Sequence, residues 1–363
     1  MRNNIIISAT RQWNPGDEFI MQGALNVLKY TFGDQFNPII FNRNPDIRGG
    51  SRWRNATRNT KFTFFWDQKN FKGKGMLQEL FRIGHFDNSF KDDMELSDIS
   101  FVLFAGSPEW YGNRLIPLYS AIEKNNLSTI FLGLGSGDSS SFEKAIPEVK
   151  RVLSKSLFIS TRDHSTEELL KDYGARYIPC PAFLSADKNR LVKNVSKIGL
   201  IYATDKTVKG NNVSQQMHEY ILQLYPEIMK HYEVGIVCHY IDELEQARSE
   251  FPNADIYYSY DAKDYADIYD NFDFVVGGRV HGIGMSASLG IPGLMIKHDI
   301  RSDTTDGFLA DFVYSSTPVD ETMEKLKKNL DQVESQSARL LHHKKEVMEQ
   351  YASLLKSCEL PLK

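Results

Sequence analysis

At 363 residues, with 43 basic and 47 acidic side chains for a net charge of -4, the chain is long enough for two cores and carries no overall cationic footprint for nucleic acid. A composition of 41% hydrophobic, 25% charged and 12% aromatic residues argues for a folded protein and against disorder. Cys180, Cys238 and Cys358 lack C-x-x-C spacing, which indicates neither a zinc site nor a disulfide framework and fits a reducing cytoplasm.

The apolar run Ile5-Ile6-Ile7 is too short for a signal peptide, and no later run approaches the ~20 residues that span a bilayer. Short apolar runs alternate with amphipathic stretches, the pattern of parallel sheets covered by helices. In the first half, strands are predicted over residues 5–8, 38–41, 101–104, 129–132, 157–160 and 177–178, with helices over 19–31, 115–125, 142–153 and 166–173. A polar, basic stretch over 185–197 interrupts this rhythm. A second series follows, with strands near 198–202, 234–237, 255–258, 274–277, 293–296 and 312–314, and helices near 214–231, 242–250, 262–270 and 283–289. These readings predict one α/β domain over 1–188, a second over 196–318 and a helical extension over 319–363. The extension spaces its apolar residues by threes, fours and sevens with a break at Ser335 to Ser337, so it is expected to pack on its own domains rather than form a coiled-coil dimer. A homo-oligomer is left open.

In open α/β sheets, ligands sit beyond the carboxyl ends of strands, and the motifs of interest fall there. After the first strand, Asn14-Pro15-Gly16-Asp17-Glu18 reads as a helix start, with Asn14 as N-cap, Pro15 at the first helical position and Asp17 placed to suit the dipole. The functional reading gives Asn14, Asp17 and Glu18 to an acceptor's hydroxyls. Trp110, in the loop 104–112, can stack on a sugar or serve as core. Gly133-Leu134-Gly135-Ser136-Gly137-Asp138 follows the fourth strand without matching a dinucleotide fingerprint. Arg162 closes the fifth strand, where a guanidinium can hold a carboxylate or phosphate, and Ser165 with Glu168 has the spacing of a capping box.

The segment Gly278-Arg279-Val280-His281-Gly282 carries the most information. A buried strand enters a glycine turn, a cation and a histidine follow, and a small-residue helix runs to Gly290. Arg279 and His281 flank a helix N-terminus, which favours an anion, and Gly282 and Gly284 leave room for close approach. His281 is the only group in that cluster able to exchange a proton near neutral pH. Arg301, in a charged run after the next strand, is expected to face the same cleft. A basic stretch over about 43–75, from Arg43 to Lys74 and interleaved with aromatic rings, suits an anionic glycan or a lipid-linked carrier.

In order and spacing, these segments resemble the polysaccharide pyruvyl transferase family. The matching pieces are Asn14-x-Gly16-Asp17-Glu18 with Gly23, then Gly133-x-Gly135-x-Gly137, Arg162-Asp163, Pro181-Ala182-Phe183, and Gly278-Arg279-Val280-His281-Gly282 through Pro292. The resemblance implies two Rossmann-like domains in a GT-B-like arrangement, and transfer of a pyruvyl group from phosphoenolpyruvate to hydroxyls of a sugar or lipid-linked oligosaccharide. It implies that His281 moves the proton while Arg279 and Arg162 hold the donor, with Arg301, Gly278 and Gly282 beside them. Phosphoenolpyruvate enters as co-substrate, with no cofactor, metal or nucleic acid. The expected location is the cytoplasm, including the inner face of the membrane. Two departures are visible: Cys180 stands where many members have Asp, and Ala105-Gly106-Ser107 where they have a glycine triplet. A GT-B glycosyltransferase using a nucleotide sugar, or a glycan-binding protein without catalysis, are the other readings.

Overall fold

The computed structural model describes residues 2–9, 14–43, 96–112, 115–136, 142–143, 145–205 and 213–362. The apolar runs of the first half form β1 (Asn3–Ala9), β2 (Phe36–Asn42), β3 (Ile99–Ser107), β4 (Ser128–Leu134), β5 (Phe158–Thr161) and β6 (Arg176–Tyr177). They join in one parallel sheet of order β2-β1-β3-β4-β5-β6, whose chain path reverses between β1 and β3. The second half gives β7 (Lys197–Ile201), β8 (Glu233–Val237), β9 (Asp255–Tyr257), β10 (Phe274–Gly277), β11 (Gly293–Lys297) and β12 (Asp311–Tyr314). Their order, β12-β11-β10-β7-β8-β9, is again wholly parallel and reverses between β7 and β10. Each reversal opens a crevice at the carboxyl ends of the strands. Every predicted strand is present, and the pair of Rossmann-like sheets is the expected α/β arrangement.

Helix α1 (Pro15–Phe32) starts as its sequence dictates: the Asn14 side chain accepts from Gly16 N, and Pro15 occupies the first turn, where its missing N–H costs nothing. The buried stripe Phe19, Ile20, Ala24, Val27 and Leu28 faces inward. The remaining helices are α2 (Ile116–Asn125), α3 (Pro147–Ser154), α4 (His164–Leu169), α5 (Gln215–Met229), α6 (Leu244–Glu250), α7 (Tyr265–Tyr269), α8 (Val280–Leu289), α9 (Val319–Asp331) and α10 (Val333–Ser357). Helix α3 is shorter than predicted because Pro147 sets its first turn and Ile146 before it is held extended. The predicted helix over 166–173 is broken at Leu170, and a single 3-10 turn over Lys171–Tyr173 completes it.

One apolar cluster runs from the inner face of the first sheet through α1, the turn Pro181–Leu184 and α8 into the second sheet. Helix α10 crosses back over this seam: the buried Tyr351 donates its hydroxyl to Pro179 O at 3.0 Å. Lys344 donates to Ala186 O at 2.8 Å, Ser288 O at 2.6 Å and the Asn189 side chain at 2.9 Å. Burial pushes this ammonium down to about 8, while the oxygens around it keep its protons satisfied. The C-terminal segment therefore packs on its own domains. The helix itself breaks at Gln332, and within the gap in the apolar seam Ser337 is docked: its hydroxyl donates to Gly290 O at 2.6 Å and accepts from Val192 N at 2.9 Å. Ser337→Ala strands a buried N–H and a buried carbonyl, so a loss of about 1–3 kcal/mol in unfolding free energy is expected from urea denaturation.

Candidate functional site

The first domain contributes a buried cation. Strand β5 ends at Thr161, and Arg162 N still reaches back to Leu134 O at 2.9 Å, which fixes its side chain just past the sheet. Asp163 is extended and caps α4, accepting from Thr166 N at 2.7 Å and from the Ser165 hydroxyl at 2.8 Å. The predicted Ser165–Glu168 capping box is therefore replaced by an Asp163 cap two residues earlier, which suits the helix that begins at His164. With Asp163 engaged there, its Oδ2 stays 3.9 Å from Arg162 Nε, too far for a hydrogen bond. The Arg162 side chain is 3% exposed, and its Nε has no hydrogen-bond partner among the described residues. Gly135 lies flat against the guanidinium, where any Cβ would overlap it. The Cys180 thiol is also nearby: burial pushes it up to about 11, against the pull of Arg162.

The second domain brings the histidine. Helix α8 begins at Val280 with Arg279 as an extended N-cap that makes no side-chain cap bond, so His281 sits in the first turn. Arg162 Nη1 lies 3.1 Å from His281 Nε2, across 119 residues and between the two domains. A guanidinium can only donate, so Nε2 holds the lone pair and the ring's proton is on Nδ1. Burial first, then the charges of Arg162 and Arg301 and the neighbouring His239, hold the His281 pKa well below the usual histidine range. The Nδ1 edge rests on the start of α1, where a side chain at position 16 would collide with it, and this explains Gly16. Arg301 contributes charge here although its guanidinium is bound by Asp299, with Nε to Oδ2 at 2.8 Å.

Arg279 is not where the sequence places it. Instead of facing a donor opposite Arg162, its guanidinium pairs with the fully buried Glu243 carboxylate, and its Nε donates to Tyr202 O at 3.1 Å. That last bond spans the crevice between β7 and β10. The guanidinium also stacks on Tyr240, 4.7 Å from the ring centre. These contacts commit most of the cation to the protein itself. Glu243 accepts in addition from His239 N at 2.8 Å and Tyr240 N at 3.0 Å, and the Tyr240 hydroxyl crosses to Asn14 Oδ1 at 3.2 Å.

Other expected site residues turn inward. Trp110 is wholly buried among Tyr111, Phe131 and Phe142 and donates to Gly135 O at 3.2 Å, so it cannot stack on a sugar. Asp17 and Glu18 are 3% and 2% exposed, so neither presents an open carboxylate to an acceptor, while Asn14 serves as cap and as partner of Tyr240. Gly278 and Gly282 make room for protein, not donor: Met217 and His298 fill the space beside the first, Tyr269 and His239 beside the second. Of the basic segment only Arg43 is described; it is buried and donates to Gly106 O at 2.8 Å and Ala105 O at 3.0 Å. The rest of that segment, and Gly137 and Asp138, lie outside the described residues. His239, Tyr240 and Glu243 were not singled out from sequence. The signal was there: they follow a predicted strand end, where chemistry was expected.

Two Rossmann-like domains that close on a buried arginine and a neutral histidine define a two-domain α/β protein with a cationic site between its sheets. The chain belongs to the polysaccharide pyruvyl transferase family, whose model matches residues 14–300. A comparison with curated proteins finds no match. Among solved structures the chain is similar to the UDP-GlcNAc 2-epimerase of Methanocaldococcus jannaschii, at 12% identity and a TM-score of 0.47 over 94% of this chain and 100% of that one. It is also similar to the E. coli heptosyltransferase WaaC, at 13% identity and 0.46 over 90% and 99%, and to the glycosyltransferase SnogD of Streptomyces nogalater, at 14% and 0.45 over 98% and 99%. No chemistry follows from likenesses of this size, and the fold rests on the two sheets themselves.

The site imposes a pH dependence on stability. His281 and His239 are both held well below the ordinary histidine pKa, chiefly by burial, so the native state refuses protons that the unfolded chain binds below about pH 6.5. Unfolding free energy must then fall as pH drops through that value, by roughly 1 kcal/mol per histidine for the first unit below it. Urea midpoints measured at about pH 7.5 and about pH 5.5 should show this decline, and His281→Gln should flatten it.

Proposed function

We propose that the chain transfers a pyruvyl group from phosphoenolpyruvate to hydroxyls of a sugar in a cell-surface glycan or its precursor, forming a ketal and releasing phosphate. Family membership supports pyruvyl transfer. The observation that carries the reading is the buried Arg162, which has no carboxylate within hydrogen-bond distance and faces a neutral His281 between the domains. Such a pair suits a small, multiply charged anion whose reaction needs one proton moved. Arg162 supplies full charge to the donor's carboxylate or phosphate, Arg301 adds a second, partly compensated charge, and the start of α8 adds its free N–H groups and dipole.

The chemistry balances without a resident cofactor, because the donor carries its own activated enol. One sugar hydroxyl adds to C2 of phosphoenolpyruvate while C3 takes a proton and becomes a methyl group. A second hydroxyl then displaces phosphate from C2, its own proton passing to a base or to the leaving group. His281 is neutral in the free protein and can accept a hydroxyl proton at Nε2 once the donor draws Arg162 away. The donor's negative charge raises the ring's pKa, which lets the imidazolium deliver a proton to C3. The acceptor is a sugar or a lipid-linked oligosaccharide, and the second choice would bring the protein to the inner face of the membrane. No helix among the described residues is long and apolar enough to cross one.

Phosphate release from phosphoenolpyruvate, measured against a panel of sugar diols, tests this directly. His281→Ala should lower kcat by about 10²–10⁴-fold with the fold intact, as loss of a general acid–base group does. Arg162→Gln should raise the KM for phosphoenolpyruvate as well. Release of nucleotide from a nucleotide sugar, with no phosphate from phosphoenolpyruvate, would overturn the assignment.

A further inference from the structure

The contacts of Arg279 commit its Nε and Nη2 to Tyr202 O and Glu243, and they lead on to His281 by another route. Glu243 is fully buried and receives three groups: the Arg279 guanidinium, His239 N at 2.8 Å and Tyr240 N at 3.0 Å. Those two amides belong to the turn after β8, so the carboxylate fixes that turn, and Arg279 is the only cation paired with it among the described residues. The same guanidinium lies over the Tyr240 ring at 4.7 Å. One cation thus holds both the backbone and the ring of Tyr240. The Tyr240 hydroxyl then donates to Asn14 Oδ1 at 3.2 Å, and this oxygen also accepts from Gly16 N at 3.0 Å. Gly16 in turn lies against His281 Nδ1.

We propose that Arg279 is a positioning residue, acting on His281 through Glu243, Tyr240 and Asn14 to hold the start of α1 against the imidazole, and not a group that touches the donor. The Tyr240–Asn14 bond is the interdomain latch of this relay. Its consequence is a dry Nδ1 edge. The charged and titratable groups that face the ring are Arg162 from the loop after β5, Arg301 from the segment after β11 and His239 from the turn after β8, and all of them act in the same direction as burial. Releasing the latch admits water on the α1 side and leaves these neighbours in place, so the ring should become easier to protonate.

The inference deepens the pyruvyl-transfer reading, because it takes His281 as the group that moves the proton, but its decisive test needs no donor. The full-length chain, labelled with ¹⁵N-histidine, is titrated by NMR. In Tyr240→Phe, which removes one hydroxyl and keeps the ring, the apparent His281 pKa should rise by roughly one unit, the scatter that environment imposes on histidines. The exposed His342 on α10 serves as an unchanged control. Arg279→Lys should move His281 the same way, and the double variant should add little, since both changes cut one chain of contacts. With phosphoenolpyruvate, both single variants should lower kcat several-fold more than they raise KM. A native His281 titration in Tyr240→Phe overturns the proposal, as does an Arg279→Lys variant that changes only the KM for phosphoenolpyruvate. If Arg279→Lys fails to fold, Tyr240→Phe decides alone. If the native chain does not turn over phosphoenolpyruvate, the functional reading fails while the titration still decides this one.

Discussion

A buried guanidinium whose nearest carboxylate stays beyond hydrogen-bond distance is the constraint around which this site is built. Removing a charge from water costs several kcal/mol even after relaxation, and the usual remedy is a counter-ion in contact. Arg162 has only a loose one: Asp163 Oδ2 is 3.9 Å from Nε while Oδ1 caps α4, Cys180 is neutral, and His281 offers only a lone pair. The same fact dictates the state of His281. A ring in contact with a cation and largely removed from water cannot hold a second positive charge, so it is neutral with Nε2 as acceptor. An anion bound between them would relieve both conditions together, coupling its binding to the protonation state of the ring.

That coupling requires two domains to be held in register, and the packing shows how. The apolar core does not stop at the domain seam. It continues through α1, the Pro181–Leu184 turn and α8, the helices that carry Gly16 and His281 at their starts. Behind them α10 ties both halves through Tyr351, Lys344 and Ser337, each bonded to the connecting stretch or to α8 and its C-terminal turn. The far end of α8 is thus anchored by Lys344 at Ser288 while its first turn presents His281. Precision at the imidazole is set from both ends of one short helix.

The fold was legible because its signals are local. Each strand is a short apolar run bounded by turn residues, and each such run closes into one of the two sheets. The site was legible only in part. Arg162 and His281 stood out as a cation at a strand end and a histidine at a helix start, and the structure brings them together. Arg279 carried the same local signal but is neutralised by Glu243, 36 residues upstream, and no property of the segment 278–282 announces that partner. Trp110 shows the same limit in reverse: a loop aromatic is drawn into the core because Phe131 and Phe142 arrive from other elements to enclose it. Local sequence tells what a side chain can do. Whether its charge or ring is already spent depends on residues that only the tertiary structure brings near.

Cys180 illustrates how that difference changes an interpretation. In the sequence it is a departure from the family's aspartate and speaks against an unaltered donor site. In the structure it is a wholly buried group beside Arg162, with a thiol that burial holds protonated up to about 11. A carboxylate at this position would be ionised next to the guanidinium and would share its charge, as Glu243 shares that of Arg279. The thiol takes up none of that charge near neutral pH, so Asp163 at 3.9 Å is the one carboxylate paired with Arg162 among the described residues. The substitution that weakens the sequence match therefore leaves the surroundings of Arg162 more cationic, and the same charge helps to hold His281 neutral.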